Sequence, residues 1–482
     1  MKGMNRRRFL SESIKGAAGL SLGMAAVSKS ADKPADANSK PADANSKPAK
    51  TPAPSANAAG ANERVVLAII GAGNYGTKVI TRMIKLPNVQ VKYACDVNDE
   101  RGAGTIKTLE ESQGFAPKRI VDMREALDDK EVNGVLISTP EHWHALATIW
   151  ACQAGKDVYV EKPIAISLWE SRKMVEAARK YKRIVQCGTQ NRSADYAYTA
   201  RDYIKSGKLG KVLYVKVYSM LLADIVWNPQ PDSPAPKGLD WDRWLGPAVE
   251  RPYNPYMHKR WSNYWAFGTG NIGHDATHQI DLARIAMGDP MPPKTITCIG
   301  GRLAYNDKRD VPDTQAVTYE YGDFVMTLDL ACFTPYLIKA GEKVRLGDKW
   351  PDWATNGDRI EIYGTDRIMY LGRMGAGWQI MERKGKGDDS TMEVIDQQHG
   401  KYPSEPHEAN FIDCIRTRKT PNGNIEQGHY SNILVNAANI SYRVGNKQLA
   451  FDSKSETFTN CKEANDLLKP AYRKNYRIPD QV

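Results

Sequence analysis

Three glycines stand at a spacing that can bring a peptide backbone against a phosphate group. They belong to the segment Gly71-Ala72-Gly73-Asn74-Tyr75-Gly76, which follows the apolar run 65–70 and precedes a helical stretch starting near Thr77. In the pattern G-x-G-x-x-G the first glycine permits a tight turn, the second lets the backbone approach a pyrophosphate, and the third lets helix and strand pack closely. The free N–H groups at the helix N-terminus favour phosphate binding. The segment therefore predicts a dinucleotide site with contacts from Gly71, Gly73, Asn74, Tyr75 and Gly76. The alternative is a glycine turn that binds no dinucleotide.

An aspartate after the second strand-like run distinguishes between NAD and NADP as the predicted dinucleotide. Asp96 follows the run 89–95 and comes 20 residues after Gly76. A carboxylate there can accept hydrogen bonds from ribose hydroxyls and would repel a 2′-phosphate. We therefore predict NAD as the cofactor, with Asp96 among its ligands.

Strand-like and helical segments continue to alternate after Asp96. Strands are predicted over residues 132–138, 157–160 and 184–187, and helices over residues 144–154 and 168–181. This alternation implies a doubly wound parallel sheet, which binds ligands at the carboxyl ends of its strands. Four further residues follow these strands and are predicted to contact the cofactor: Thr139, His144, Glu161 and Gln190.

The chain resembles the family of glucose–fructose oxidoreductase and inositol dehydrogenase (Gfo/Idh/MocA) over roughly residues 64–452. The resemblance rests on the order and spacing of several segments. They are the glycine segment, Asp96, S-T-P-E-H-W-H from Ser138 to His144, A-G-K-D-V-Y-V-E-K-P from Ala154 to Pro163, the D-L-A-R helix from Asp281, and N-F-I-D-C-I-R from Asn410 to Arg416. The resemblance implies an α/β Rossmann domain followed by an α+β domain with a large open, mostly antiparallel sheet. The exposed face of that sheet often makes oligomer contacts in the family, so we expect a homo-oligomer, either a dimer or a tetramer.

The resemblance also implies that Lys162, in the turn Glu161-Lys162-Pro163, lies beside the nicotinamide. A lysine at the mouth of the sheet can hydrogen-bond a substrate hydroxyl, lower its pKa, and help to pass its proton as hydride leaves the carbon. Lys162 is therefore predicted to be catalytic. A solvated loop lysine or a structural ion pair is the alternative.

The second domain departs from the family pattern at its expected acid–base pair. The family commonly places an aspartate four residues before a histidine at the start of a helix. His278 matches the histidine, but His274 occupies the aspartate position and Asp275 is displaced by one. On an α-helix residues 274 and 278 share a face, whereas residue 275 points about 100° away. His274 and His278 are therefore predicted to handle protons together, because histidine titrates near neutrality. A non-catalytic His274 is the alternative, and no metal is predicted because no third ligand is evident.

A loop region rich in aromatic side chains, proline and glycine precedes these histidines. Its aromatic residues are Trp227, Trp241, Trp244, Tyr253, Tyr256, Trp261, Tyr264, Trp265 and Phe267. Long ordered loops over a cofactor site often carry binding residues, and aromatic faces can stack on a pyranose. One to three of these rings are expected to touch a sugar-like substrate, while the others hold the loop to the domain. Beyond the loop, strands are predicted over residues 317–321, 324–330, 359–363 and 367–371, and helices over residues 408–416 and 431–444.

The N-terminal residues do not have the sequence pattern of a folded domain. The twin-arginine block Asn5-Arg6-Arg7-Arg8-Phe9-Leu10 precedes a short, weakly apolar stretch, and a low-complexity segment rich in Pro, Ala, Asn and Ser follows. We predict a twin-arginine signal over residues 1–28, a flexible linker over 29–62, a nucleotide domain over 63–188 and a substrate-binding and oligomerisation domain over 189–482. The expected location is the periplasm or another exported compartment, with the twin-arginine export machinery as a partner. The apolar stretch is too short for a good membrane span, so no transmembrane segment is expected in the mature protein.

Charge and cysteine content argue against a nucleic-acid-binding protein and against a protein held together by disulfides or metal ions. Residues 1–50 carry ten Lys or Arg and four Asp or Glu, which accounts for six of the eleven net positive charges. The remaining charge is mild and shows no basic stripe, so nucleic-acid binding is not expected. Seven scattered cysteines form no C-x-x-C pair. They are predicted to be small buried apolar residues rather than metal ligands or disulfides.

The export signal and the cofactor together limit the chemistry. A folded, exported enzyme is expected to carry tightly bound NAD. Because this NAD does not exchange with a free pool, it must return to its starting oxidation state within each catalytic cycle. One possibility is an oxidoreductase that oxidises a sugar or sugar-like polyol and reduces a second carbonyl compound. Another is a redox-neutral glycosidase. Such an enzyme takes hydride from a ring carbon of a glycoside, eliminates the aglycone, adds water and then returns the hydride. The intact Lys162 favours the oxidoreductase, and Lys162 with His278 disfavours a third alternative, a non-catalytic NAD-binding sensor.

Overall fold

Residues 65–187 fold around a six-stranded parallel sheet. The computed structural model describes residues 64–222, 230–305 and 307–482, so the predicted export signal and linker lie outside the described residues. The strands are β1 (Val65–Ile70), β2 (Val89–Cys95), β3 (Lys118–Ile120), β4 (Gly134–Ile137), β5 (Asp157–Val160) and β6 (Val185–Cys187). Their order is β3-β2-β1-β4-β5-β6 and every pairing is parallel. The order reverses between β1 and β4, which is the point where such sheets bind ligands.

Helices cover both faces of this sheet. They are α1 (Asn74–Met83), α2 (Asp99–Gln113), α3 (Arg124–Asp128), α4 (His144–Gln153) and α5 (Leu168–Lys180). Strands β1, β4 and β5 are buried throughout, as expected for parallel strands covered on both sides. Side-chain caps fix where two of the helices begin. The Asn98 side chain accepts from the N–H of Arg101 at the start of α2, and Ser167 Oγ accepts from the N–H of Glu170 at the start of α5.

The second part of the chain is built on a ten-stranded sheet. Its strands are β7 (Val212–Met220), β8 (Thr295–Gly301), β9 (Thr314–Glu320), β10 (Val325–Ala331), β11 (Arg359–Gly364), β12 (Ile368–Gly372), β13 (Trp378–Lys384), β14 (Thr391–Gln398), β15 (Leu449–Asp452) and β16 (Thr457–Phe458). The order is β14-β13-β12-β11-β7-β10-β9-β8-β15-β16. Within this ten-stranded sheet, only β7 and β10 pair in parallel among the described strands, so the sheet is mostly antiparallel. The predicted fold class is therefore confirmed.

The second set of helices completes the core and reaches back to the first sheet. They are α6 (Asp195–Lys205), α7 (Trp241–Leu245), α8 (Pro255–Lys259), α9 (Thr277–Ala286), α10 (Glu342–Arg345), α11 (Ser404–Thr417), α12 (Ile425–Arg443) and α13 (Lys462–Asp466). Helices α9 and α12 pack on one face of the large sheet. Strand β9 alternates buried and exposed residues, so its other face stays open. Helix α11 instead buries Phe411 and Ile412 against the core of the nucleotide domain.

A buried ion-pair network joins the end of the first sheet to α9. Arg192, which follows β6, donates through Nε and Nη2 to Asp281 Oδ1 at 3.0 and 2.8 Å, and through Nη2 to Asp289 Oδ1 at 2.8 Å. Ser431 Oγ on α12 also donates to Asp281 Oδ1 at 2.6 Å. Arg192 and Asp281 are both buried. The network fixes α9, and therefore His278 near its start, relative to the nucleotide domain.

The remaining sequence expectations concern cysteines and membranes. All seven cysteines are buried, which confirms their prediction as small core residues. In the described ranges, no helix combines enough length and enough apolar character to cross a bilayer.

Candidate active site

The glycine segment adopts the geometry that each glycine was predicted to permit. Gly71 has φ of +87°, and a Cβ on it would lie 2.7 Å from the backbone of Ser138. A Cβ on Gly76 would lie 2.7 Å from the carbonyl oxygen of Gly71. A Cβ on Gly73 would meet no heavy atom within 4 Å. Two glycines are thus required by packing, whereas Gly73 keeps open the space that a ligand needs to approach the backbone at the start of α1.

Asp96 holds the glycine segment from the end of β2. Its Oδ2 accepts from the N–H of Ala72 at 2.8 Å, and its Oδ1 accepts from the N–H of Asn98 at 2.8 Å. Burial raises the pKa of Asp96, although these N–H donors and the Arg101 charge act in the opposite direction. Each carboxylate oxygen retains a second lone pair that can accept a ribose hydroxyl.

A cavity lies beside the glycine segment and Asp96. Its lining includes Gly73, Asp96, Arg101, Thr139 and Trp244. The open backbone at Gly73, the free helix N-terminus and the Asp96 carboxylate together fit the phosphate and ribose groups of a dinucleotide.

Tyr75 and Gln190 connect the glycine segment to the second domain. Gln190 Nε2 donates to the hydroxyl of Tyr75 at 3.3 Å, and the hydroxyl of Tyr402 donates to Gln190 Oε1 at 3.1 Å. Gln190 is fully buried, while Tyr75 is 45% exposed. The Glu161 carboxylate, together with burial, raises the pKa of Tyr75. Both residues therefore lie at the edge of the site, with Asn74 exposed beside them.

Lys162 lies where the two domains meet. Its Nζ donates to the backbone carbonyl of His274 at 2.5 Å. Burial lowers the pKa of Lys162, while Glu161 and Asp275 favour its charged form. The adjacent Glu161 accepts from the N–H of Lys162 at 3.2 Å, and burial raises the pKa of Glu161 to about 7. A lysine among buried polar groups at the mouth of the sheet can position and polarise a substrate hydroxyl.

The prediction that Asp275 points away from the site is wrong, because the helix there is not a regular α-helix. Residues Ile272–Ala276 form a π-helical turn, whose hydrogen bonds run from i to i+5. Asp275 Oδ1 accepts from Lys339 Nζ at 2.6 Å, and its Oδ2 accepts from Gln279 Nε2 at 3.1 Å. Burial alone would raise the pKa of Asp275, but Lys339 and Arg373 hold it well below its usual range. The wider turn therefore brings an ionised carboxylate into the site.

His278 lies in the same cluster as Lys162 and Asp275. It is 4% exposed, and its Nδ1 has no hydrogen-bond partner among the described residues. Burial, followed by the charges of Arg373 and Lys162, lowers the pKa of His278 well below its usual value, whereas Asp275 raises it. His278 is therefore neutral near pH 7 and able to accept a proton.

His274 makes different contacts from those of His278. Its ring is exposed and lies 6.1 Å from the ring of Trp261, and its carbonyl oxygen accepts from Lys162. Desolvation by the surrounding protein atoms and the Lys162 charge lower the pKa of His274. It lines a second cavity together with Asp275 and Lys339. The carboxylate that acts on His278 is therefore Asp275, and the ring of His274 faces this second cavity.

His144 lies behind the site rather than in it. Its Nδ1 is 2.8 Å from the carbonyl oxygen of Pro163, and its Nε2 is 2.9 Å from that of Thr139. Burial lowers its pKa to about 4. The ring thus lies between the turn that carries Lys162 and the loop after β4, and in its neutral form it donates to one of these two carbonyl oxygens. Thr139 lines the cofactor cavity, and its buried Oγ1 has no partner among the described residues.

Sequence reasoning missed several polar residues at the site. Glu141 is buried, accepts from the N–H and hydroxyl of Thr269 at 2.8 and 2.7 Å, and interacts electrostatically with Lys162. Glu141 lies inside the segment S-T-P-E-H-W-H, which carries part of the family resemblance, so the sequence could have marked it as a site residue. Arg373 and Tyr402 come from loops after β12 and β14, where no motif marks them.

The aromatic loop mostly packs on itself. Trp241 stacks on Trp244 with ring centroids 4.6 Å apart, and Trp244, Tyr256, Tyr264 and Phe267 form a small buried cluster. Trp244 also lines the cofactor cavity. Trp227 lies outside the described residues. Most of these rings therefore hold the loop in place, and Trp261 is the ring beside His274.

No metal centre is evident at these histidines. Across residues 64–222, 230–305 and 307–482, no three His, Cys, Asp or Glu side chains are grouped so that they could hold an ion.

Known proteins with similar sequences share parts of this architecture. Levoglucosan dehydrogenase of Pseudarthrobacter phenanthrenivorans is 31% identical over 168 residues, which is 35% of this chain and 36% of that protein. The NAD(+)-dependent scyllo-inositol 2-dehydrogenase of Bacillus subtilis is 26% identical over 305 residues, which is 62% of this chain and 72% of that protein. The chain thus matches only about a third of the length of the first relative.

Solved structures show the same fold over most of the described chain. Levoglucosan dehydrogenase in complex with NADH and levoglucosan superposes with a TM-score of 0.57 at 18% identity, covering 80% of this chain and 99% of that one. Aldose-aldose oxidoreductase from Caulobacter crescentus, complexed with glycerol, gives 0.56 at 17% identity, covering 80% of this chain and 100% of that one.

Two family descriptions match in the expected order. The GFO_IDH_MocA oxidoreductase family, NAD-binding Rossmann fold, matches residues 65–189. The C-terminal alpha/beta domain of the same oxidoreductase family matches residues 198–327 and 384–478. The chain therefore belongs to the GFO_IDH_MocA oxidoreductase family, with that family's NAD-binding Rossmann domain at its N-terminal side.

Proposed function

We propose that this protein is an NAD-dependent oxidoreductase that acts on a CH–OH group of a sugar or sugar-like polyol. The observation that carries the proposal is the convergence of Lys162, Asp275 and His278 where the nucleotide domain meets the large sheet. The glycine segment, Asp96 and Thr139 would hold the cofactor. When bound, the nicotinamide supplies the site that accepts or returns a hydride.

The chain's own residues handle the proton that accompanies hydride transfer. Lys162 donates a hydrogen bond to the reacting hydroxyl and stabilises the negative charge that develops on its oxygen. His278 is neutral and accepts the hydroxyl proton, and the Asp275 carboxylate stabilises the imidazolium that results. Reduction of a carbonyl follows the reverse order, with the imidazolium returning the proton.

Asp96 supports a preference for NAD over NADP. Its carboxylate lines the cofactor cavity and is fixed by two backbone N–H groups. A fixed negative charge there favours ribose hydroxyls and opposes a 2′-phosphate. The twin-arginine block at residues 5–10 supports export of the folded protein with its cofactor already tightly bound.

The open face of the large sheet supports a homo-oligomer. Ile299 of β8 and Met392 of β14 are 61% and 52% exposed. A second copy of the chain is the partner that the family resemblance suggests for this sheet. Sedimentation of the purified protein at several concentrations distinguishes a monomer from a dimer or tetramer.

The proposed reaction is tested on the purified full-length protein. Nucleotide released by acid is identified by mass spectrometry, and a panel of sugars, polyols and glycosides is then screened for oxidised products and for free aglycone. Bound NAD(H) and oxidation of a sugar or polyol support the proposal. Release of aglycone without net oxidation would instead support the redox-neutral glycosidase, although the intact Lys162 favours the oxidoreductase.

A further inference from the structure

Arg373 directly follows β12, and its buried guanidinium Nε has no hydrogen-bond partner among the described residues. The residue is 6% exposed. Throughout the described ranges, no hydrogen bond or ion pair to its guanidinium is formed. Burying an arginine in this way costs free energy unless an acceptor joins it, because the charge has lost its water.

The neighbouring carboxylates leave Arg373 without a direct partner. Asp275 acts electrostatically on Arg373, but its carboxylate is hydrogen-bonded to Lys339 at 2.6 Å, to Ser219 at 3.2 Å and to Gln279. Asp358 is fully buried with neither oxygen hydrogen-bonded, and burial raises its pKa to about 6. The guanidinium instead lies 5.5 Å from the ring centroid of Tyr402, whose hydroxyl already donates to Gln190.

The position of Arg373 matters because Tyr402, whose ring its guanidinium faces, connects through Gln190 to Tyr75 in the glycine segment. The charge of Arg373 also acts on both His278 and Lys162. A ligand group that meets the guanidinium therefore belongs to the same molecule whose hydroxyl meets Lys162. A neutral hydroxyl would satisfy single N–H donors, whereas a carboxylate offers two oxygens that match the planar fork and neutralises its charge.

We propose that the substrate of this enzyme is a sugar acid, a uronic or aldonic acid, whose carboxylate is bound by Arg373. The inference rests on the proposed oxidoreductase function and narrows its substrate class. Arg373 selects the acid, while Lys162 and His278 act on a hydroxyl elsewhere on the same molecule.

The test compares matched neutral and acidic sugars on the full-length protein supplied with NAD. The pairs are D-glucose with D-glucuronate and D-galactose with D-galacturonate, with D-gluconate and D-glucose 6-phosphate as further ligands. Two quantities are measured: kcat/KM from formation of the oxidised product in the presence of a second carbonyl compound as hydride acceptor, and the rise in unfolding temperature at saturating ligand, which does not require turnover. The variants are Arg373→Gln, Asp358→Asn, and Arg383→Gln, which removes the charge of an exposed arginine on β13.

A wild-type preference for the acid member of a pair is expected, in both kcat/KM and thermal stabilisation. Loss of a charge-assisted, bidentate contact should lower the acid-to-neutral ratio by about 10- to 100-fold in Arg373→Gln. Arg383→Gln should leave the ratio unchanged. Equal use of neutral and acidic sugars, a ratio that Arg373→Gln does not move, or a stronger response to the 6-phosphate would overturn the carboxylate assignment.

The design separates this inference from the proposed reaction. If no sugar is oxidised but uronates stabilise the wild type and not Arg373→Gln, the acid-binding site stands and the oxidoreductase function fails. If Arg373→Gln and Asp358→Asn lower stability equally and neither changes the acid-to-neutral ratio, Arg373 serves only as a structural partner of Asp358 and the inference fails.

Discussion

Replacement of Gly73 by alanine should weaken cofactor binding and leave the fold intact. Gly73 has φ of −83° and ψ of 173°, a conformation that alanine adopts without strain. A Cβ at this position would meet no heavy atom of the protein within 4 Å. We expect the free energy of unfolding of the cofactor-free protein to change by less than about 1 kcal/mol.

The effect on binding is large because the methyl group would fill the space through which a pyrophosphate approaches the start of α1. Loss of one or two hydrogen bonds from backbone N–H to phosphate costs about 1.5–3 kcal/mol each. This corresponds to a rise in the Kd for NADH of at least about 10-fold.

Gly76 provides a matched variant with the opposite outcome. A Cβ there would lie 2.7 Å from the Gly71 carbonyl oxygen and 2.9 Å from Ser138 Cβ. Overpacking of this kind costs about 1–3 kcal/mol of stability. Urea unfolding of the cofactor-free proteins and calorimetric titration with NADH measure both quantities. Wild-type affinity in Gly73→Ala would refute the assignment of the glycine segment as the pyrophosphate site.

Three further perturbations test the rest of the site and its support. Lys162→Ala should lower kcat by about 10²- to 10⁴-fold with bound nucleotide unchanged, as measured by steady-state kinetics and acid extraction; a loss of less than about threefold would remove Lys162 from the mechanism. Asp275→Asn should move the acidic limb of the kcat/KM profile to lower pH, because the Asp275 charge raises the pKa of His278; an unmoved limb would argue against the pairing. Asp281→Ala should lower the free energy of unfolding by about 3–5 kcal/mol, because it leaves the buried Arg192 without its main partner; an unchanged urea midpoint would contradict the role given to this network.

The nucleotide domain could be predicted closely because its signals are local. The predicted limits of β1, β2 and β5 match the observed strands, since each is rich in apolar residues and is followed by a glycine or a charged residue. Strand β3 was missed because Lys118–Ile120 is only three residues long and partly exposed. Predicted helices in the second domain were shorter than the observed α11 and α12, whose first turns are polar.

The large sheet and the substrate side of the site were harder to predict. Strand β14 is exposed along almost its whole length and has no apolar alternation to reveal it. Arg373 and Tyr402 reach the site through pairings between distant strands, which no local pattern encodes. The placement of Asp275 depends on a π-helical turn, and a one-residue change in helical register cannot be seen in residue spacing.

The charges of the site explain how it can favour removal of hydride from a carbon. Lys162 and Arg373 bring two cations into a buried site, whereas burial raises the pKa of the Glu161, Glu141 and Asp358 carboxyl groups. Asp275 remains fully ionised because Lys339 and Arg373 stabilise its charge. The positive groups stabilise the negative charge that develops on the reacting oxygen, and an alkoxide-like oxygen in turn promotes loss of hydride from its carbon. The Asp275 charge is placed to balance the imidazolium of His278 once the proton has moved. In the proposed mechanism Asp275 and His278 therefore act as the acid–base pair although they are three residues apart rather than four, because the π-helical turn brings Asp275 into the site.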